Sequence, residues 1–408
     1  MMKKNFIVIF AVVIAAILIT CNEPVFYMVS KEAPKVEPLI EGSPTNFVIF
    51  DNAVYVASGE KIFSTEGKVE GEGKDRKVIF SIYSPPDFGR VIYLASTTDY
   101  LYAVCLTDDS ANKKTKGILK RSKKPSSGWD TIYDADNVQS VFAAGKDIFI
   151  CTMYYGSDNK EKFKILHSEE SLSLSSNDFL PIKDGLSTEL RGVIGIDDPT
   201  NPTKFLLCAG SLYNVVNNSG TIVINLFGVE KTKADDYFMG IVNINSTIGI
   251  AAVDRSGKLF RINNNSGILT APEERFGSYS TNQKATGSIA TCIIGSTNFL
   301  LIGRQDMSYS TSSGYTHGYL EIVYDNNDFI SDRKEPGKDA PTTTDSYDAY
   351  ISSIGKNPVN HIIQIPSSID VEQNKIILAS SQSTGVWRLL DKPNDDDVWE
   401  RSWNQQEK

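Results

Sequence analysis

Residues 91–106 read Val-Ile-Tyr-Leu-Ala-Ser-Thr-Thr-Asp-Tyr-Leu-Tyr-Ala-Val-Cys-Leu, two apolar runs separated by a short polar turn. Such runs, rich in β-branched and aromatic residues and bounded by turn-forming residues, are typical of strands. The same run–turn–run unit recurs, beginning near residues 47, 91, 138, 192, 238, 289 and 361. A third run usually follows through a Gly-containing turn, as in Gly257–Arg261, and a fourth run often follows, as in Trp129–Tyr133. Four short strands in a unit of about 45–50 residues are the blade period of a β-propeller.

The sequence therefore predicts an all-β fold, a single β-propeller of about seven four-stranded blades over residues 44–404. Six or eight blades, or an array of β-sandwiches, are the alternatives. The first run of each unit is expected to line a central channel. The last blade is expected to hold its own four strands, ending with Val398–Trp403, and Asn404–Lys408 to fray. Asp325–Asp348 is polar and rich in Pro and Thr, so we expect it to be an insert outside the blades.

The first twenty residues have the pattern of a secretion signal. Lys3 and Lys4 precede Phe6–Ile19, an uncharged apolar run that is shorter than the roughly 20 residues a membrane-spanning helix needs. The run ends in Leu-Ile-Thr-Cys at Cys21, which is similar to the cleavage motif of bacterial lipoproteins, although Thr20 replaces the usual Gly, Ala or Ser. An uncleaved signal anchor with an incidental cysteine is the alternative.

Together, the strand units and this motif resemble bacterial β-propeller lipoproteins. The resemblance implies a cleaved signal peptide at 1–20, lipidation of Cys21 with palmitate-type acyl chains, and a flexible tether over 21–43. It also implies a lipid-anchored protein of the cell membrane or outer membrane that faces the periplasm or the exterior. The choice between the inner and the outer membrane stays open.

Composition limits the partners and cofactors. The formal net charge of −9 argues against nucleic acid as a partner. Four cysteines besides Cys21 lie inside apolar runs without metal-ligand spacing, which indicates buried free thiols rather than disulfides or zinc; they are Cys105, Cys151, Cys208 and Cys292. The sequence predicts no cofactor and no metal site.

Two loops are candidate interaction sites. The first is a basic hairpin, which could dock an anionic partner or lipid head groups, or could be an ordinary solvated hairpin; its residues are Lys113, Lys114, Lys116, Lys120, Arg121, Lys123 and Lys124. The second is Ser308–Thr316, where Tyr309 and Tyr315 stand among serines and threonines, a composition suited to adaptable recognition.

The sequence favours a cell-envelope lipoprotein that acts as a binding or scaffold module through its propeller faces, with an envelope protein or a glycan as its partner. The alternative is an extracytoplasmic hydrolase or lyase that acts on glycans or another small substrate in the propeller funnel. No catalytic motif stands out, so an enzymatic activity is the less favoured hypothesis. A funnel with clustered carboxylates, Arg and Tyr would favour the enzyme, whereas one lined by Ser, Thr and Asn would favour binding.

Overall fold

The structure of the chain is a computed structural model. The residues that the structure describes are 40, 42–65, 69–71, 77–83, 89–109, 114–123, 125, 128–198, 200–233, 236–245, 249–255, 258–276, 285–294, 297–304, 319–324, 329–334, 359–366, 368–369, 376–382, 385–390 and 403–405. Their regular structure is strand, apart from a 3₁₀ turn at Ser176–Asp178 and the single 3₁₀ residue Asp236. Within these residues, no helix has the length and apolar character needed to cross a bilayer.

The first three blades are antiparallel sheets of four strands taken in chain order. Blade 1 comprises β1 (Val48–Phe50), β2 (Ala53–Ser58), β3 (Lys61–Ser64) and, after a separate hairpin of β4 (Val69–Glu70) and β5 (Lys77–Val78), β6 (Ser81–Tyr83). Blade 2 comprises β7 (Arg90–Ser96), β8 (Leu101–Asp109), β9 (Lys114–Ser122) and β10 (Asp130–Tyr133). Blade 3 comprises β11 (Asn137–Ala144), β12 (Asp147–Tyr155), β13 (Glu161–Glu169) and β14 (Leu180–Leu186).

The remaining blades follow the same pattern. Blade 4 comprises β15 (Gly192–Gly195), β16 (Lys204–Ala209), β17 (Ser211–Asn218) and β18 (Thr221–Phe227). Blade 5 comprises β19 (Phe238–Asn245), β20 (Gly249–Asp254), β21 (Leu259–Ile262) and, after a hairpin of β22 (Asn264–Asn265) and β23 (Ile268–Leu269), β24 (Glu273–Phe276). Blade 6 comprises β25 (Ala285–Ile294), β26 (Thr297–Arg304), β27 (Tyr319–Tyr324) and β28 (Phe329–Lys334). Blade 7 comprises β29 (Val359–Gln364), β30 (Ile376–Ser381), β31 (Gly385–Leu390) and β32 (Trp403–Gln405).

Burial explains why the strand sequences differ with their position in a blade. The second strands are buried on both faces, and every residue of β20 and of β30 is buried. Such strands are continuous apolar runs because neighbouring blades cover both faces of each sheet. The outermost strand β18 alternates between exposed and half-buried residues, because the rim of a blade meets solvent on one side.

The apolar core lies between blades and closes into a ring. Successive first strands are neighbours from β7 through β11, β15, β19 and β25 to β29. Blade 7 returns to blade 1, where Ile40, Phe47 and Val54 belong to the same apolar cluster as Ile365 and Leu378. The β-propeller predicted from the sequence is therefore confirmed. Among the described residues no strand is exchanged between blades 1 and 7, so closure rests on this packing and on single hydrogen bonds, such as that from the Gly385 N–H to the Gly42 carbonyl at 3.2 Å.

Two boundaries expected from the sequence were wrong. The segment Asp325–Asp348 is not wholly an insert, because β28 within it pairs with β27 as the fourth strand of blade 6. The fourth strand of blade 7 is β32, which pairs with β31 through Asn404 and Gln405, two residues expected to fray. In both places a short ladder of backbone hydrogen bonds outweighs a polar composition. Residues 335–358 and 391–402 lie outside the described residues.

Candidate ligand-binding channel

The first strands of the blades surround a cavity of about 530 Å³ on the ring axis. Blades 1 to 5 and blade 7 all contribute residues to its lining. These residues lie where the first strands begin, so the cavity opens at that end of the channel. The size is within the range of about 300–1,000 Å³ that is typical of small-molecule sites.

Amide and hydroxyl groups dominate the polar part of the lining, and several of them are held by the fold. The Asn46 side chain donates to the Leu94 carbonyl at 2.7 Å and accepts from the Leu94 N–H at 2.9 Å, which joins blade 1 to blade 2. Ser140 Oγ donates to the Leu190 carbonyl at 3.2 Å. Gln139 and Asn360 also line the cavity, and neither side chain has a hydrogen bond to the described residues.

One ion pair faces the channel. Arg191 Nη2 lies 2.7 Å from Glu189 Oε1, and both side chains are about one-third exposed. The backbone between them is fixed on both sides, because the Leu190 N–H donates to Cys151 Sγ at 3.3 Å and the Arg191 N–H donates to the Cys208 carbonyl at 2.7 Å. Among the described lining residues, Glu189 is the single carboxylate.

Tyr93 lies beside this pair and packs on Phe142, with 5.0 Å between the ring centroids. Burial and the charge of Glu189 raise the pKa of its hydroxyl well above the ordinary value, although Arg191 opposes the shift. The Tyr93 hydroxyl therefore stays protonated at neutral pH and can donate a hydrogen bond.

His361 lines the channel where blade 7 meets blade 1. Its Nδ1 accepts the Phe47 N–H at 3.3 Å, and burial lowers the pKa of the ring to about 4. The imidazole is therefore neutral at physiological pH. Because Nδ1 is the acceptor, the proton of the neutral ring is on Nε2.

The structure places most of the basic segment expected to form a hairpin loop in a strand. Lys114, Lys116, Lys120 and Arg121 lie within strand β9 rather than at a hairpin tip. Arg121 is buried: its Nη1 and Nη2 donate to the carbonyls of Ser171 and Leu172 at 2.5 and 2.7 Å, and the guanidinium lies 4.4 Å from the centroid of Tyr100.

The other residues of this basic segment divide between bound and exposed positions. Lys116 Nζ donates to the carbonyls of Asp134 and Ala135, so it too serves the fold, whereas Lys123 is exposed. The structure describes only the backbone of Lys114. The other expected site residues lie outside the described part of the chain; they are Cys21, Lys113, Lys124, Tyr309 and Tyr315.

Three of the expected free thiols are confirmed. Cys105, Cys151 and Cys208 are free and fully buried. Burial raises the pKa of each of these thiols to about 12, which makes them inert at neutral pH. The Cys292 side chain lies outside the described residues, in which no cluster of metal-ligating side chains is found.

Buried polar groups elsewhere join blades. Asp147 Oδ1 lies 2.6 Å from His167 Nε2 and accepts from Asn217 Nδ2 at 3.0 Å, which links blade 3 to blade 4. Thr97 and Tyr102 of blade 2 both donate to Glu170 Oε2 of blade 3. These groups have their hydrogen bonds satisfied within the fold, so they are structural.

Sequence reasoning placed Tyr93 and His361 in runs expected to line the channel without singling them out as site residues, and it missed Glu189 and Arg191. A usable signal was present for Tyr93, since it interrupts an apolar run expected to line the channel. Glu189 and Arg191 immediately precede the fourth unit, and only the fold shows that this position faces the axis. In comparisons with known proteins, no family model matches the chain, and no curated protein matches it.

Proposed function

We propose that this protein is a lipid-anchored module of the cell envelope that binds a small ligand, without converting it, at the open end of its propeller channel. The observation that carries the proposal is the described lining, which is rich in amide and hydroxyl groups and holds one carboxylate, itself paired with Arg191. Glycosidases usually need two carboxylates flanking the scissile bond. A lining of this kind favours recognition over hydrolysis.

The anchor part of the proposal rests on the lipoprotein-like motif at Cys21. The chain enters blade 1 through Ser43–Asn46, which line the cavity, and Ile40 before them is buried in the core between blades 1 and 7. The flexible part of the tether would therefore be residues 21–39, joined to the propeller near the channel opening. A flexible chain of that length has a root-mean-square span of roughly 24 Å. The channel would then lie within reach of molecules at the membrane surface.

The anchor is tested by labelling cells with a radioactive fatty acid. The wild-type protein is expected to take up label and to partition into detergent, whereas Cys21→Ala is expected to do neither, because the acylated thiol is gone. Asn22→Ala is the matched control and should still be labelled. Labelled Cys21→Ala protein that enters the detergent phase would show that the anchor is elsewhere.

Ligand binding is tested by a thermal-shift screen of small sugars, sugar acids and organic acids. Gln139→Trp places a large side chain in the channel and should abolish every shift, whereas Val223→Trp on the exposed outer strand β18 should abolish none. Each ligand is then incubated with the protein and examined by NMR. Unchanged ligand supports a binding module; a new product would replace the proposal with the hydrolase or lyase alternative.

A further inference from the structure

The channel has the opposite charge character to the rest of the chain. The protein contains 50 acidic and 41 basic residues, yet its seven first strands contain no aspartate or glutamate. The charged residues of the described lining are Arg90, Arg191 and Glu189, which sum to one positive charge at neutral pH. Walls of low dielectric strengthen such a local charge, because they focus field lines into the cavity.

Arg191 keeps part of its guanidinium available for a ligand. Among the described residues, its one acidic partner is Glu189, which contacts Nη2, and Nε is buried without a partner. The donors that a ligand can reach are therefore those of Nη1 and the remaining Nη2–H. This ion pair fixes the orientation of the guanidinium before any ligand arrives. A pre-oriented arginine suits a planar carboxylate, with which it can form two parallel hydrogen bonds.

The neighbouring groups are donors as well. Arg90 begins β7 at the rim of the cavity and makes no ion pair with the described residues. Tyr93, with a protonated hydroxyl, and His361, with a neutral ring protonated at Nε2, also line the cavity, and Gln139 and Asn360 add amide groups. A ligand with acceptor oxygens and a negative charge is therefore complementary to this lining, whereas a cation would meet net repulsion.

We propose that the channel binds a small organic acid through a carboxylate group, with Arg191 and Arg90 supplying the charge and Tyr93 donating a further hydrogen bond. This inference rests on the proposed function and specifies its ligand class. The cavity of about 530 Å³ limits the ligand to a small molecule, such as a sugar acid or a short dicarboxylic acid. These two sources share the carboxylate and are separated by the probes below.

Isothermal titration calorimetry on the full-length protein tests the inference with two matched pairs of probes, D-glucuronate against D-glucose and glutarate against glutaramide. At least one acid is expected to bind about tenfold or more tightly than its neutral partner, since charge-assisted hydrogen bonds are about twice as strong as neutral ones. Raising the salt concentration should weaken the binding of the acid. The pair that responds identifies the source of the carboxylate.

Arg191→Gln and Arg90→Gln should each weaken binding of that acid about tenfold. Arg255→Gln is the matched control, because Arg255 follows β20 and does not line the cavity. Arg90→Gln keeps the test decisive if Arg191→Gln does not fold, since the Arg90 side chain is exposed. Equal binding of an acid and its neutral partner, or failure of both acids to bind, would overturn the carboxylate inference. The Gln139→Trp screen decides separately whether the channel binds ligands at all.

Discussion

At the scale of single residues, His361 combines two roles. It lines the channel and also accepts a backbone hydrogen bond across the closing interface between blades 7 and 1. Burial in this position lowers the pKa of the ring to about 4, against an ordinary value of 6.5. A neutral imidazole at the closing interface makes the stability of the ring depend on pH.

The direction of that dependence follows from proton binding. Between pH 6.5 and pH 4 the unfolded chain protonates this histidine and the folded chain does not, so the free energy of unfolding falls as pH falls through this window. Well above pH 6.5 this histidine has no effect on the free energy of unfolding, and by pH 4 it lowers that free energy by an amount on the order of 2–3 kcal/mol. His361→Asn keeps an acceptor for the Phe47 N–H and removes the titrating group. The slope of its free energy of unfolding against pH should therefore be smaller than that of the wild type, by the equivalent of up to one proton.

Urea unfolding followed by tryptophan fluorescence between pH 4 and pH 8 measures both slopes. Above pH 7 the two proteins should have the same slope, which is the internal control. If His361→Asn keeps the wild-type slope below pH 6.5, the histidine is not held neutral in the folded chain.

At the scale of strands, the third strand of blade 2 approaches the first strand of blade 3 more closely than a side chain allows. The Gly117 N–H donates to Asn137 Oδ1 at 2.8 Å, and a Cβ on Gly117 would lie 1.9 Å from the Val138 carbonyl oxygen. The two blades pack through bare backbone at this point, so any side chain must push them apart.

Gly117→Ala is therefore expected to lower the free energy of unfolding by about 3 kcal/mol or more, because the overlap is with backbone and cannot relax locally. Gly220→Ala is the comparison. Gly220 has a φ of +91° in the β17–β18 turn and open space around it, so alanine there should cost about 1–2 kcal/mol through backbone strain alone. Thermal unfolding of both variants measures the difference. Equal losses would mean that blades 2 and 3 separate easily at this point.

Strands and their order could be predicted from the sequence because each buried strand is an apolar run bounded by turn residues, as residues 91–106 illustrate. The strands β28 and β32 were misplaced since their pairing depends on a neighbouring strand rather than on their own composition. The channel residues Glu189 and Arg191 were missed for a related reason: their proximity to Tyr93 and His361 is created by ring closure, which brings together residues far apart in sequence. The basic residues of β9 had the composition of a surface patch, because the sequence alone does not show that the Arg121 side chain is buried.

At the scale of the whole molecule, the ring is closed by packing and each blade is built from its own consecutive strands. The covalent order of the blades should therefore matter little to the folded state. A permuted chain that starts at Ala285, before blade 6, and joins Gln405 to Ile40 through about ten Gly and Ser residues breaks no strand ladder.

This permuted chain should fold to the same β-rich state and unfold in a single transition, with stability reduced by about 1–3 kcal/mol through the cost of the new loop and the lost connection. Circular dichroism and urea unfolding would check it. A permuted chain that stays unfolded would show that the native connection between blades 5 and 6 is essential for closure.

The self-contained blades also have an evolutionary consequence. A gene that duplicates or deletes one blade adds or removes a complete sheet and leaves every remaining ladder of hydrogen bonds intact. Because the first strand of each blade faces the axis, such an event also changes the circumference of the channel. The width of the channel would then change between descendant proteins in discrete steps set by the number of blades. The charge of the channel would change gradually, through substitutions of single lining residues.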